Sequence, residues 1–447
     1  MAYKAKPLGT RELKTFKAAY ESDPVRLAMT NAFSMSPLNV LAFDAVKARG
    51  LLYKFSVDIK TLKATNQKSS GRCWLFAATN VLRELTAKQI NVENFEFSQS
   101  YLAFWDKFER CNYYLETIIA TAGSPLSDRE LDYVIKTGVG DGGQWGMFVN
   151  LVKKYGVVPK DAMPETAQSS ATSNLNSLIN RYLRRATPIL RAMVQSGASA
   201  AEVRAEKERM LSKIYSFLVS CYGPSPETFN FEYVDKDRVY HIDTDLTPAT
   251  FTAKYVGDIL DDYVSIINAP TADKPFGKRY TVKYLNNIVG ADSVTYLNLD
   301  IDTFKAAIIA QLRDGEPVWF GCDSGKFSES TRKQWDEDSY NFELITGLEQ
   351  DITKADMLDY HISQLTHAMV FTGVNIDPDG KPDRWKIENS WGSDGIYNGY
   401  HIGSDSWVER FVFQAVVHKK YVSEYAPALA SKPVELRPWD PIGSLAD

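Results

Sequence analysis

The sequence predicts an α+β protein, with a helical first half and a second half rich in antiparallel strands. Apolar residues recur at helical spacing in 73–85, 175–183 and 210–221. From residue 230 onward, short aromatic and β-branched runs such as 317–321 alternate with turns. Helices grouped before strands are typical of two packed parts rather than of an alternating α/β fold.

The composition is that of a large globular protein. The chain has 447 residues, of which 44% are hydrophobic and 12% aromatic, enough for a sizeable core and too apolar for disorder. Its 51 basic and 56 acidic residues give a net charge of −5, which argues against a surface built mainly for nucleic acid. The absence of a signal-peptide pattern and of any apolar run of about 18 residues predicts a cytoplasmic protein that does not enter a membrane.

The cysteines agree with a reducing compartment. The chain has four of them, and none stands in a CxxC pair. This spacing indicates neither a disulfide framework nor a zinc site. The cysteines are Cys73, Cys111, Cys221 and Cys322.

We divide the chain into five segments by composition and periodicity. They are 1–60 (an N-terminal segment), 61–164 (a helical subdomain that contains Cys73), 165–224 (a helical insertion), 225–430 (a sheet subdomain that contains His367 and Asn389) and 431–447 (a C-terminal arm). The arm contains three prolines, so we expect an extended path. A frayed chain end is the alternative for this segment.

Cys73 has the setting of a nucleophilic thiol. Ser69, Ser70 and Gly71 suit the start of a helix, and the apolar helical stripe begins at Trp74. A thiol in the first turn of a helix has a lowered pKa, because the helix dipole favours the thiolate. Taken alone, Cys73 is better explained as an inert core thiol, because a cysteine beside Trp74, Leu75 and Phe76 usually belongs to the core. The assignment therefore depends on a base elsewhere in the chain.

His367 and Asn389 are the predicted base and the group that orients it. The runs 366–375 and 384–389, separated by a turn, are typical of a β-hairpin. Within one residue of register, this hairpin places His367 opposite Asn389, with Cβ atoms about 5 Å apart. An asparagine amide at that distance orients an imidazole, and Trp391 would shield the pair from water. A chance polar pair on a wet face is the alternative.

Gln67 is the candidate for an oxyanion donor. It precedes Cys73 by six residues, just before the loop that starts the helix. Its side-chain amide and the backbone N–H of Cys73 would form an oxyanion hole. Spacing alone does not distinguish Gln67 from an ordinary loop residue.

Three other patterns resemble binding motifs but lack the features that those motifs require. The run 138–143 matches GxGxxG but lacks the βαβ context of a dinucleotide site. The run 375–380 resembles a calcium loop, yet Lys386 stands where a bidentate glutamate is needed. A group of arginines is better explained as a solvated helix face than as a nucleic-acid patch. These arginines are Arg181, Arg184, Arg185 and Arg191. We expect no metal and no organic cofactor.

Three separated motifs resemble the papain-like cysteine peptidases, and in particular the branch of bleomycin hydrolase and aminopeptidase C. They are 66–77 (NQKSSGRCWLFA), 365–369 (LTHAM) and 388–392 (ENSWG). The resemblance covers nearly the whole chain and implies a papain-like fold of two subdomains with a cleft between them. It also implies roles for four residues: Cys73 as nucleophile, His367 as base and acid, Asn389 as orienting group and Gln67 as oxyanion donor.

The resemblance further implies how substrate binds. The backbone of Gly142 and Gly143 would pair with the peptide beside Trp391, and the arm would lie in the cleft, with a terminal carboxylate at Ala446 meeting the amino terminus of the substrate. Asp447 extends beyond the usual terminal alanine of this family. It is trimmed, adjusts in place or obstructs the site, and we favour trimming or adjustment.

The expected activity is that of a cysteine aminopeptidase. It would release N-terminal residues from peptides, and hydrolyse bleomycin-like amides, through a thioester on Cys73. The resemblance implies that 165–224 is a hook that builds a homohexamer. Two alternatives stay open: a papain-like endopeptidase with an open cleft, and a nucleic-acid-binding hexameric scaffold.

Overall fold

The structure, a computed structural model, describes residues 3–445. Helices dominate as far as Tyr222 and strands dominate from Phe229, so the predicted α+β class is confirmed. The helices are α1 Thr10–Glu21, α2 Pro24–Met35, α3 Leu38–Ala42, α4 Ala45–Ala48, α5 Cys73–Gln89, α6 Gln99–Ala120, α7 Arg129–Thr137, α8 Trp145–Tyr155, α9 Ser173–Gln195, α10 Ala200–Tyr222, α11 Pro248–Tyr255, α12 Ile301–Arg313, α13 Phe342–Thr346, α14 Lys354–Asp359, α15 Asp405–Phe411 and α16 Ala426–Leu429.

Two sheets are present in the described part of the chain. The strands are β1 Val57–Asp58, β2 Phe229–Val234, β3 Tyr240–Leu246, β4 Tyr263–Ile267, β5 Arg279–Val282, β6 Thr295–Asn298, β7 Val318–Cys322, β8 Ser328–Glu329, β9 Gln334–Trp335, β10 His367–Ile376, β11 Pro382–Glu388, β12 Tyr400–Ser404, β13 Val412–His418 and β14 Val434–Leu436. β2 and β3 form a separate hairpin.

The large sheet runs in the order β14-β5-β6-β4-β13-β7-β10-β11-β12-β9-β8, with β1 beside β10. Most neighbours are antiparallel, as predicted. Three pairs depart from the prediction and are parallel, namely β4 with β6, β5 with β14, and β9 with β12. β7 and β10 lie at the centre, where helices cover the sheet, and every residue of β7 is buried.

The predicted hairpin of β10 and β11 forms with a different register. Val370 lies opposite Glu388, and a bulge follows between Phe371 and Gly373. Continuing that register places Asn389 opposite Met369 rather than opposite His367, so the predicted pairing is wrong. The bulge coincides with the approach of β1, where a Cβ at residue 373 would lie 2.6 Å from a β1 carbonyl oxygen. Asn389 is therefore a diagonal neighbour of His367, still within reach of its side chain.

Helix α5 begins at Cys73 and packs against β10 and β7. The helix has buried residues along almost its whole length, including Trp74, Ala78 and Val81. Arg72 occupies the N-cap, and its side chain makes no capping hydrogen bond. The predicted position of Cys73 in the first turn of the helix is therefore confirmed, but neither Ser69 nor Ser70 occupies the N-cap, and the first N–H groups of α5 are not satisfied by a side-chain cap.

The insertion consists of two long helices, α9 and α10, that pack on α6. Their apolar stripes, with Leu183, Leu190 and Leu218 fully buried, join the same core as α5. A second core lies on the other face of the sheet, between β10, β11, α12 and α15. None of the helices within 3–445 has the length and apolar character that crossing a bilayer needs.

Candidate active site

Cys73, His367 and Asn389 meet where the start of α5 faces the start of β10. The N–H of Ala368 donates to Cys73 Sγ at 3.4 Å. His367 Nε2 lies 3.0 Å from Asn389 Oδ1, and the same oxygen accepts from the N–H of Ser390 at 2.8 Å. Because Oδ1 is an acceptor in both contacts, the imidazole hydrogen is on Nε2. Nδ1 of His367 is then left as the basic nitrogen.

Burial controls the charge of both groups. Cys73 has 0% exposure and His367 has 6%. Burial raises the pKa of the Cys73 thiol to about 12, although the N–H groups of Ala368, Trp74 and Cys73 itself act to lower it. Burial also lowers the pKa of His367 to about 4, against the hydrogen bond with Asn389. Burial therefore opposes the lowering of the thiol pKa that the helix start provides, and a thiolate at Cys73 requires the counter-charge of protonated His367.

Gln67 is held in one orientation at the loop that leads into α5. Its backbone N–H donates to the carbonyl of Ser390 at 2.8 Å. Its Oε1 accepts from the Ser390 hydroxyl at 2.7 Å, and its Nε2 donates to the carbonyl of Ser70 at 2.6 Å. An amide nitrogen carries two hydrogens, so one hydrogen of Gln67 Nε2 remains for a further acceptor.

The glycine loop before α8 lies directly against α5. Trp74 Nε1 donates to the carbonyl of Asp141 at 2.7 Å, and Arg110 donates to the carbonyl of Gly142. A Cβ at residue 143 would lie 2.6 Å from the Trp74 indole, so only glycine fits at Gly143. The loop backbone is therefore fixed at the edge of the site.

Asp141 ties this loop to the start of α5 and to the insertion. Its carboxylate accepts from Lys107 Nζ at 2.9 Å, from the N–H of Gly71 at 3.1 Å and from the hydroxyl of Thr172. Burial alone would raise the pKa of Asp141, but Lys107 and Thr172 hold it well below its usual range. A permanently charged Asp141 thus braces the segment just before Cys73.

Trp391 covers the imidazole from the solvent side. Its ring centroid lies 5.2 Å from that of His367. The indole itself is 49% exposed. It therefore limits the access of water to His367 and offers an apolar face to whatever occupies the cleft.

The C-terminal arm lines the cavity that the glycine loop borders. Pro438, Gly443 and Leu445 share a cavity of about 100 Å³ with Gly142 and Gly143. The arm enters as β14, parallel to β5 at the edge of the sheet. It continues as an extended segment with one 3₁₀ turn, Pro441–Gly443.

The end of the described arm lies close to the catalytic strands. The Ser444 hydroxyl donates to the carbonyl of Leu365 at 3.1 Å, and Gln144 Nε2 lies 3.5 Å from the Ser444 carbonyl oxygen. Leu365 precedes His367 by two residues. The two predicted substrate contacts Ala446 and Asp447 lie outside the described residues.

Sequence reasoning missed two residues that hold this site together. Ser390 bonds to both Gln67 and Asn389, and Asp141 braces the loop before Cys73. Both stand inside short motifs that were already prominent, so their polar side chains next to the predicted site residues were the available signal. Within 3–445, no cluster of three His, Cys, Asp or Glu side chains could hold a metal ion.

Two of the four clustered arginines have structural partners. Arg184 donates to two carbonyls at the end of α7, at 3.3 and 2.9 Å. Arg191 is buried and donates to the carbonyls of Thr121 and Ser124 at 3.0 and 2.6 Å. These bonds fasten α9 to the neighbouring elements, so the solvated helix face expected for the four arginines is wrong for Arg191.

The fold and the site define a peptidase with a papain-like architecture. The sequence profile of the Peptidase C1-like family matches residues 7–443, and the chain belongs to this family. Aminopeptidase C of Listeria innocua is 44% identical over 436 residues, which is 97% of this chain and 98% of the relative. Bleomycin hydrolase of Rattus norvegicus is 39% identical over 435 residues, covering 95% and 96% of the two chains.

A solved structure agrees over nearly the full length. The crystal structure of PepW from Lactobacillus rhamnosis HN001 superposes with a TM-score of 0.95 at 44% identity. The match covers 98% of this chain and 99% of that one. The helical insertion and the arm therefore belong to the shared architecture.

Proposed function

We propose that this chain is a cysteine aminopeptidase that hydrolyses the first peptide bond of peptides with a free N-terminus through a Cys73 thioester. Its class, a cysteine aminopeptidase of the Peptidase C1-like family, follows from the relatives matched over nearly its whole length. The observation that carries the chemistry is the arrangement of Cys73, His367 and Asn389 at the start of α5 and β10.

Acylation begins when His367 Nδ1 accepts the thiol proton and Cys73 Sγ attacks the carbonyl carbon. Both charges form together, so burial does not have to accommodate either one alone. Asn389 keeps the imidazole oriented through its bond to Nε2. The tetrahedral oxyanion would accept from the N–H of Cys73 and the second hydrogen of Gln67 Nε2.

The intermediate then collapses, and the imidazolium of His367 gives its proton to the leaving amine as the C–N bond breaks. The acyl group remains on Cys73 as a thioester. A water molecule replaces the amine, His367 takes its proton, and attack on the thioester releases the carboxylic acid and restores the thiol. Apart from the substrate and the hydrolytic water, each step uses only groups of this chain.

The arm supports the choice of aminopeptidase over an endopeptidase with an open cleft. It lines the same cavity as Gly142 and Gly143, where the backbone of a longer substrate would pair. A carboxylate at its end, on Ala446 or Asp447, would attract a substrate ammonium and exclude further residues. We propose that Asp447, the residue beyond the usual terminal alanine, is trimmed or adjusts in place.

A cytoplasmic location and a homohexameric assembly are also part of the proposal. The four scattered cysteines, each free and buried in the structure, support a reducing cytoplasmic compartment. The two-helix insertion supports a homohexamer. The structural use of Arg184 and Arg191 favours a peptidase over a nucleic-acid-binding scaffold.

A matched pair of fluorogenic substrates tests the proposal. We expect hydrolysis of a free aminoacyl amide, little hydrolysis of its N-acetylated form, and loss of both in Cys73→Ser. Equal rates on both substrates would support the endopeptidase instead. Unchanged hydrolysis by Cys73→Ser would refute the assigned nucleophile.

A further inference from the structure

A buried carboxylate lies behind the catalytic residues. Glu388, the last residue of β11, directly precedes Asn389. Its Oε1 accepts from Arg83 Nη2 at 2.8 Å and from Asn80 Nδ2 at 3.0 Å. The side chains of Arg83 and Glu388 are 2% and 1% exposed. Arg83 and Asn80 both belong to α5, so this contact joins the helix that begins at Cys73 to the strand that ends at Asn389.

The same network reaches the segment that carries Gln67. Asn80 Nδ2 donates to the Thr65 hydroxyl at 3.0 Å, and the carbonyl of Thr65 accepts from the N–H of Gly392 at 2.8 Å. One carboxylate therefore connects, within two hydrogen bonds, the three segments that carry the oxyanion donor, the nucleophile and the orienting amide. The fourth catalytic element, β10, pairs with β11 directly beside Glu388.

Burying the charged carboxylate of Glu388 costs free energy. Burial raises the pKa of Glu388 to about 7, with Arg83 acting in the opposite direction. The other groups that face it are Glu84 on α5, Lys386 on β11, Tyr400 on β12 and the hydroxyl of Thr61. Well-packed apolar residues are often as stabilising as a buried ion pair, or more so. A contribution to stability alone therefore explains the Arg83–Glu388 pair poorly. Its position between the segments that carry the catalytic residues suggests a role in placing those residues.

We propose that Glu388 is a positioning residue whose ion pair with Arg83 fixes the register between α5 and β11, and with it the distance from Cys73 to the His367–Asn389 pair. Arg83 lies about three turns, or about 15 Å, along α5 from Cys73. A rigid helix transmits a shift at Arg83 to its first turn, and a shift at Glu388 moves the next residue, Asn389. The inference rests on the proposed function.

The variant Glu388→Gln tests it, because it keeps the side-chain shape and removes the charge. We expect kcat on the free aminoacyl amide to fall about 10- to 100-fold with little change in KM. The rate of Cys73 alkylation by iodoacetamide should fall as well. Arg83→Lys, which keeps the charge, should retain more of both rates than Glu388→Gln.

Asp405→Asn provides the matched control. Asp405 accepts from Lys305 Nζ at 2.7 Å and from Trp385 Nε1 at 2.8 Å, beside the second core on the face of the sheet opposite to α5. We expect this variant to lower Tm while kcat and the alkylation rate stay within about twofold. A Glu388→Gln variant that behaves in the same way as this control would overturn the proposal.

A second variant covers the case in which Glu388→Gln does not fold. The double change Glu388→Gln with Arg83→Met removes the unpaired charge. A folded double variant with parental kcat would also overturn the proposal, and one with reduced kcat and reduced alkylation supports it. If the proposed function itself fails, the parent is inactive on the aminoacyl amide, while the alkylation rates still report on the environment of Cys73.

Discussion

An ion pair between Lys274 and Asp440 holds the C-terminal arm in place. We expect one substitution at this pair to weaken the proposed preference for substrates with a free amino terminus. Lys274 Nζ lies 2.9 Å from Asp440 Oδ2, and the two side chains are 2% and 8% exposed. Asp440 Oδ1 also accepts from the N–H of Ile442 at 3.0 Å and so starts the turn that leads into the cavity. Lys274→Met keeps most of the side-chain volume and leaves the Asp440 carboxylate without its cation.

The expected magnitude follows from comparing two terms. Breaking a buried ion pair on one side costs about 3–5 kcal/mol, because the remaining charge is uncompensated. The apolar anchors of the arm, Ile442 and Leu445, are both buried and contribute about 1.5–3 kcal/mol each. The two terms are of similar size, so we expect the arm of Lys274→Met to leave the cavity in a substantial fraction of molecules.

The assay compares the free and the N-acetylated aminoacyl amide. In Lys274→Met we expect hydrolysis of the N-acetylated substrate to rise about tenfold or more, which is about 1.4 kcal/mol of relative transition-state stabilisation. Hydrolysis of the free substrate should fall. Lys420→Met is the control, since Lys420 pairs with Asp314 at the surface. A folded, active Lys274→Met enzyme that still rejects the N-acetylated substrate would refute the reasoning.

Three further predictions follow from the site. Asn389→Ala should lower kcat about 10- to 100-fold with a smaller effect on KM, and an unchanged kcat would contradict its orienting role. Gln67→Ala should lower kcat about 100-fold or more through loss of an oxyanion donor, and a change below about threefold would exclude that role. Burial lowers the pKa of His367 to about 4 and of His401 to about 3. The unfolded chain therefore binds more protons below pH 6.5, so the free energy of unfolding should fall by about 1.4 kcal/mol per group for each pH unit as the pH drops towards 4. Denaturant titrations should show a shallower fall in His401→Phe, and an equal slope would show that His401 is not buried in its neutral form.

The sequence predicted the reactive side chains better than their arrangement. Cys73, His367 and Asn389 are recognisable because few residue types supply a nucleophile, a base and an orienting amide. The register between His367 and Asn389 was wrong, because the turn that joins the two strands is centred one position later than a pairing of His367 with Asn389 requires: the N–H of Asp377 donates to the carbonyl of Lys381. A count along the hairpin carries any error in the centre of its turn to every pair of residues.

The supporting contacts were beyond sequence reasoning for a related reason. Glu388 and Arg83 are 305 residues apart, and a glutamate at the end of a strand is usually solvated. Likewise, the prolines of the arm predict an extended segment but not a parallel partner. β14 adds to β5 only because the rest of the sheet has placed that edge beside the arm.

The outermost position of β14 has a consequence for biosynthesis. The strand follows Asn389 in the chain, as do Pro438, Gly443 and Leu445, the residues of the arm that line the cavity beside Gly142 and Gly143. The ribosome therefore makes the complete set of proposed catalytic residues before it makes the segment that narrows the cleft. During its synthesis, each molecule therefore passes through a stage in which Cys73 is present and the C-terminal arm is not. Pairing of β14 with β5 ends that stage.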